Sequence, residues 1–353
     1  MIAADPTQLT ASYNFDLPPE LIAQRPVEPR DSARLLTLIE GGIGHATFAD
    51  LPSYLREGDV LVVNDTRVIA ARIAGRRPSG GRVEILLLRP AAGARYDPNA
   101  LRWVAMVKPA RRLKAGARIE FNGFGAADVV REEDEGVREL EFTLEVPFET
   151  FLQRAGRLPL PPYVREDSEA AQRGYQTVFA REPGSVAAPT ASLHFTKELL
   201  ERLERDGVRL VRLNLNVGLG TFKPMQTQRI GDHRMHSESF FVPETTAAEV
   251  EAAKREGRRV IAAGTTVVRA LEGSAVKHGT VRPGFDETDL FIRPGYRFAY
   301  IDAMITNFHL PRSTLLALVC AFAGRERIMR AYHDAIERRY RFFSFGDAML
   351  IEP

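Results

Sequence analysis

A single cysteine, Cys320, stands in the chain of 353 residues. No intrachain disulfide can form, and zinc or iron–sulfur sites built on several thiolates are excluded. Cys320 lies within LLALVCAFA (Leu315 to Ala323) and reads there as a buried structural thiol rather than a nucleophile. That run is also the longest apolar stretch, about half of the ~20 residues a membrane-crossing helix needs. The opening MIAADPTQLT has no basic segment leading into an apolar core. No secretory signal is therefore expected, and a reducing cytoplasm is the expected compartment. An excess of one charge sign is missing too: 48 Lys plus Arg face 46 Asp plus Glu, a formal net charge of +2. The whole-molecule basic field that announces nucleic-acid binding is absent, unless the basic groups are concentrated locally.

Hydrophobic residues make up 44% and charged residues 27%, the balance of a folded globular protein. At about 150 residues per domain, two domains are expected. The first dozen residues are expected to fray. From Leu35 the runs are strand-like: LLTLI, GDVLVVND (Gly58 to Asp65) and RVIAARIAG. Short β-type runs then follow one another with turns between them, from RVEILLL (Arg82 to Leu88) to VRELEFTL, with EEDEG (Glu132 to Gly136) as an acidic hairpin tip. This spacing reads as a small barrel or sandwich over residues 72–147. After Pro147 the pattern changes to a short helix (ETFLQRAG), an extended LPLPPYV, and then alternating strands and helices. HFTKELLERLERDG is a surface helix with Thr196 at its N-cap, and TTAAEVEAAKREG opens on a capping box of Thr246 with Glu249. TDLFI and AMITNF read as strands, and RERIMRAYHDAIERRY as an arginine-rich last helix. The expected architecture is an α/β main domain with a mixed sheet, residues 1–71 and 148–353, joined by the strands from Leu35 to Ile69. An all-β, barrel-like domain at 72–147 is inserted in it.

Several segments concentrate polar groups where α/β sheets build sites. VVNDTRVI (Val62 to Ile69) ends a strand on Asp65, Thr66 and Arg67, either a site or an ordinary Asx turn. GSVAAPTASLHFT brings Thr190, Ser192 and His194 near a helix start, where free N–H groups favour an anion. NVGLGTFKP lacks the spacing of a phosphate loop and reads as a turn. HRMHSESF offers His233, His236 and Glu238, with His309 as a distant third imidazole. This is a weak metal pattern, equally suited to proton transfer. VIAAGTTVVRALE places Gly264, Thr265 and Thr266 at a β-to-α junction with Arg269 one turn on, the threonines being candidate caps. DAMITNFHLPRSTLL is the most site-like: Thr306, Asn307 and His309 follow a strand, and Ser313 caps the next helix.

FDLPPELIAQRPVEPRDSARLL, GDVLVVNDTRVIAARI, LPLPPY, YQTVFAREPGSVAAPTASLHFT, VGLGTF, HRMHSE, AAGTTVVRALE and ITNFHLPRSTLLALVCAFAG occur in that order from Phe15 to the closing FGDAMLI. Together they resemble the S-adenosylmethionine:tRNA ribosyltransferase-isomerases of queuosine biosynthesis. One departure is Asn216, where that family commonly has His before VG. The resemblance implies transfer and isomerisation of the ribosyl part of S-adenosylmethionine onto 7-aminomethyl-7-deazaguanine at the tRNA wobble position. Epoxyqueuosine-tRNA, adenine and methionine would be the products. No metal and no cofactor beyond the co-substrate S-adenosylmethionine is expected, with tRNA as partner, no membrane and a monomeric chain.

Under this reading Asp65, His194, His236, Glu238 and His309 include the base and acid, because the sulfonium acidifies the neighbouring C5′ hydrogens and adenine must leave. Thr66, Arg67, Thr190, Ser192, Gly264, Thr265, Thr266, Arg269, Thr306, Asn307 and Ser313 are the expected substrate-binding positions. Lys108, Arg111, Arg112, Lys223, Arg234, Arg338 and Arg339 are the expected RNA contacts, tracking phosphates around a splayed base. Two rivals stay open: a metal-dependent hydrolase on His233, His236 and His309, and an RNA-binding module without turnover.

Overall fold

The computed structural model describes residues 6–40, 42–91, 96–165, 167–218 and 224–353. Lys223 and most of the VGLGTF turn lie outside them. Four strands form the centre of a nine-stranded sheet: Arg209–Leu215, Val60–Asn64, Val260–Ala263 and Ala303–Asn307, side by side and parallel. Near-continuous burial, as in VLVVN and VIAA, is what a parallel strand covered on both faces requires. On one side the sheet continues antiparallel through Glu238–Val242 to the edge strand Gly284–Thr288. On the other, Ala348–Ile351 runs antiparallel to Ala303–Asn307 and parallel to Arg34–Ile39, and Gly42–Thr47 forms the edge. Helices Glu244–Glu256, Thr265–His278 and Thr314–Ala323 bury Val250, Val268, Leu271 and Cys320 in the main core. Cys320 is thus the buried thiol its surroundings implied, and burial pushes its pKa up to about 12.

The inserted unit is a closed antiparallel barrel. Arg72–Arg76, Arg82–Pro90, Arg102–Lys108, Val137–Leu144, Gly125–Glu132 and Arg118–Phe121 pair in that order, and Arg76 opposite Glu120 closes the ring. Alternating burial along the strands sends Ile73, Ile85, Ile119 and Phe142 inward. Helix Phe148–Ala155 adds Phe148, stacked on Trp103 with ring centroids 5.3 Å apart, and Phe151 to that core.

Local expectations differ from the structure at five points. From Pro6 onward the N-terminal stretch is ordered in short 3-10 turns that bury Tyr13, where Arg312 N–H donates to the Tyr13 carbonyl and Thr10 N–H to that of Gln228, while residues 1–5 lie outside the described residues. Thr246 does not cap its helix. Pro243 does, and Thr246 Oγ1 instead donates to the Arg212 carbonyl. Gly264, not Thr265 or Thr266, is the N-cap of Thr265–His278. Thr66–Val68 leaves the main sheet and pairs with Glu182–Ser185. TDLFI contributes only Thr288 to a strand, the rest being loop.

Candidate active site

The carboxyl ends of the four parallel strands converge, and ligands of open α/β sheets bind at such ends. Asn64 is fully buried and stitches two of the strands. Its amide donates to the Leu215 carbonyl at 3.0 Å and accepts from Leu215 and Thr66 N–H at 3.1 Å. Asp65 follows, half-buried, and accepts from Asn214 Nδ2 at 3.2 Å. Burial raises its carboxyl above the ordinary range; the Asn214 hydrogen bond opposes this and the Glu182 charge reinforces it.

Beside this floor a small cavity of about 60 Å3 is lined by Gly264, Thr265, Thr266, Thr190, Thr306, Asn307, His309 and Ser313. Gly264 holds φ 103°, a conformation glycine tolerates, and turns the chain from strand into helix. Val267 N–H donates to the Gly264 carbonyl at 3.1 Å, so the Thr265 and Thr266 N–H groups are the first-turn donors that the helix itself leaves without an acceptor. Thr266 Oγ1 is buried without a hydrogen-bond partner among the described residues. Thr190 Oγ1 donates to Asn307 Oδ1 at 2.9 Å, and Asn307 Nδ2 donates to His194 Nε2 at 3.1 Å. His309 Nε2 meets Thr306 Oγ1 at 2.9 Å. Burial pushes both imidazoles down to about 3, so both are neutral at pH 7. His194 and Ser192 lie behind the cavity wall rather than on it. Ser313 lines the cavity while capping its helix, as expected, accepting from Leu316 N–H at 3.1 Å.

Beyond the cavity, past Val217, the barrel and the sheet ends enclose a cleft with two lobes of about 1230 and 1180 Å3. They share Tyr96, Asn216, Ser239 and Glu287. The acidic tip Glu132 to Glu135 faces the first lobe, together with exposed His236 and buried Glu238; Asp65 faces the second. Glu238 is ion-paired with Arg269, and both are buried. Arg269 also donates toward the Thr288 and Leu290 carbonyls. Thr66 is fully buried and Arg67 exposed. Lys108, Arg111 and Arg112 are exposed on the barrel, Arg234 on a loop, and Arg338 and Arg339 beyond the last helix. The structure therefore gathers the threonines, Asn307 and His309 in one cavity and spreads the basic residues over several faces. Asn214, Tyr96, Arg181, Phe241, Phe285 and Tyr163 escaped sequence reasoning. The LPLPPY motif contained Tyr163 and the YQTVFAREPGS motif Arg181, whereas Asn214, Phe241 and Phe285 come together only through strand pairing. Among the described residues no three His, Cys, Asp or Glu side chains group as metal ligands would, and no helix is long and apolar enough to cross a membrane.

A family model described as queuosine biosynthesis protein matches residues 10–351. The S-adenosylmethionine:tRNA ribosyltransferase-isomerase of Symbiobacterium thermophilum is 52% identical over 97% of this chain and 99% of its own. That of Gloeobacter violaceus is 50% identical over 98% and 96%. A crystal structure of S-adenosylmethionine tRNA ribosyltransferase from Thermotoga maritima is 36% identical and covers 96% of this chain and 99% of that one, with a TM-score of 0.55.

Proposed function

The chain belongs to the queuosine biosynthesis protein family, and on that premise we propose that its cleft is the active site of an S-adenosylmethionine:tRNA ribosyltransferase-isomerase. The ribosyl carbons of S-adenosylmethionine pass to 7-aminomethyl-7-deazaguanine at the wobble position of tRNA. Adenine and methionine leave, and the ribosyl group remains as the epoxycyclopentyl part of epoxyqueuosine.

Asp65 takes the C5′ proton that the adjacent sulfonium acidifies. Burial raises its carboxyl above the ordinary aspartate range, which makes it a stronger base than an exposed aspartate. His194 and His309 are too weakly basic for that step and serve as neutral hydrogen-bonding groups, His194 orienting Asn307. His236, exposed in the cleft beside Glu238, is the candidate donor to departing adenine. Thr190, Thr265 and Thr266 hold the methionine carboxylate or ribose hydroxyls at the helix start. The barrel, residues 72–147, acts as an inserted domain that covers the splayed base, while Lys108, Arg111, Arg112, Arg234, Arg338 and Arg339 contact phosphates. The enzyme works as a monomer in the cytoplasm, with no metal.

The observation that carries the reading is Asp65, half-buried at a central strand end on the cleft floor. Asp65→Asn is expected to slow tRNA-dependent adenine release by at least about 100-fold while leaving S-adenosylmethionine binding intact. In the wild type the acid limb of the rate profile should have its midpoint above the ordinary value of about 3.9. A wild-type rate in Asp65→Asn contradicts this assignment.

A further inference from the structure

The small cavity at the strand ends has two kinds of wall. One is the start of helix Thr265–His278, whose Thr265 and Thr266 N–H groups the helix itself leaves without an acceptor. Thr266 is 8% exposed, and its Oγ1 is buried without a hydrogen-bond partner among the described residues. That oxygen lies 3.6 Å from where a Cβ on Gly264 would sit, as does Ala191 Cβ, and all three residues line the cavity. The hydroxyl therefore borders the cavity at the helix start. A hydroxyl taken from water without a partner costs stability, so its presence here points to a ligand that supplies one. Asn307, whose Oδ1 accepts from Thr190, and His309, kept neutral by burial, stand beside these donors. An amide oxygen has two lone pairs, which leaves one for an ammonium group.

The other wall is apolar: Val217, Phe308, Leu310, Leu315 and Phe343, with Tyr163 against Phe343 at a ring-centroid distance of 4.8 Å. Phe343 holds φ 71°, in the left-handed region that a bulky residue seldom adopts, and such strain gathers at ligand clamps. The cavity of about 60 Å3, at about 10–15 Å3 for each water-sized group, has room for about four to six non-hydrogen atoms. That admits a carbon bearing a carboxylate, an ammonium and a first methylene, but not a purine. Val217 also lines the cleft, three positions along the chain from Asn214, the partner of Asp65. A donor anchored in the cavity thus carries its sulfonium past Val217 into the cleft. We infer that this cavity reads the amino-acid end of S-adenosylmethionine, with Thr265 and Thr266 N–H and Thr266 Oγ1 holding its carboxylate, and so rejects a donor that lacks one. This rests on the S-adenosylmethionine-dependent reading above and leaves the ribose hydroxyls to the cleft.

The test compares S-adenosylmethionine with its decarboxylated form on the whole enzyme, with saturating tRNA carrying the aminomethyl-deazaguanine. Loss of the carboxylate removes several charge-assisted contacts at once and should raise the donor KM of the wild type by at least about a hundredfold. Thr266→Val removes one of them and should raise the KM for S-adenosylmethionine by about tenfold to a hundredfold, with kcat changed far less. The KM for the decarboxylated donor should stay nearly unchanged, so the preference narrows. Without a donor the variant should melt no lower than the wild type, because the hydroxyl it loses has no partner. Equal losses toward both donors, or a lowered melting temperature with the preference kept, make the hydroxyl structural and overturn the site. A wild type that uses both donors alike overturns it too. Equilibrium dialysis of both donors against the Asp65→Asn enzyme bound to tRNA reads the same preference without turnover. A preference there with no adenine release by the wild type supports this site and overturns the reaction assigned above. Adenine release without the preference does the reverse.

Discussion

Burial decides the proton chemistry of the cavity residue by residue. His194 and His309 are held down to about 3 in the folded protein, whereas an unfolded imidazole titrates near about 6.5. Because the folded values are depressed, only the unfolded chain gains protons as pH falls below about 6.5. Stability is therefore complete above that pH and is lost progressively toward pH 3. Each imidazole is expected to cost about 2 kcal/mol at pH 5, read as a falling urea midpoint. His309→Gln should flatten that fall; an unchanged slope would mean that His309 is open to water. Glu238 and Arg269 show the opposite case, two charges buried against each other. Glu238→Gln leaves a guanidinium unpaired and should destabilise by about 3 kcal/mol. A variant that melts like the wild type yet loses turnover would place Glu238 in the chemistry instead. Asp65 was legible from VVNDTR, a polar break after an apolar strand. The Glu238–Arg269 pairing was not, because the partners are 31 positions apart and meet only through folding.

At the scale of elements, caps and turns separate what is legible from what is not. Ser313 and Thr196 were readable as caps because each is a hydroxyl residue just before a helical run, apolar after Ser313 and amphipathic after Thr196, and each accepts the expected N–H. Ser313→Ala should cost about 1 kcal/mol in thermal or urea unfolding, and no loss would mean the cap is idle. Thr246 matched a capping box in sequence, yet the helix begins earlier, where Pro243 ends the strand and has no N–H to leave unpaired. Gly264 is the element-scale hinge of the site. Gly264→Ala forces a side chain into φ 103° and is expected to cost about 1–3 kcal/mol and to lower turnover as the helix start shifts. Unaltered turnover there would separate the helix start from the substrate.

For the whole molecule, the mixed sheet and the barrel follow from burial periodicity, which the chain displays openly. Register does not follow from it. The rows through Asn214 and Asn216 that floor the cleft exist only once Glu238–Val242 and Gly284–Thr288 are paired. The near balance of 48 basic against 46 acidic residues takes on spatial meaning here. Carboxylates line the cleft, while Lys108, Arg111, Arg112, Arg234, Arg338 and Arg339, the candidate phosphate contacts among the described residues, lie outside its lining. The affinity for tRNA should therefore fall as salt rises, with a shallow slope reflecting few phosphate contacts. A salt-independent affinity would count against any phosphate-tracking surface.

The central claim concerns which bonds of S-adenosylmethionine break. It is tested by incubating the enzyme with S-adenosylmethionine and tRNA carrying or lacking 7-aminomethyl-7-deazaguanine, then quantifying the small-molecule products. The account predicts adenine and methionine in equal amounts, released only with the modified tRNA and matching the ribosyl-derived group gained by the RNA. Release of S-adenosylhomocysteine with methylated tRNA, or release of adenine without any tRNA, would contradict it.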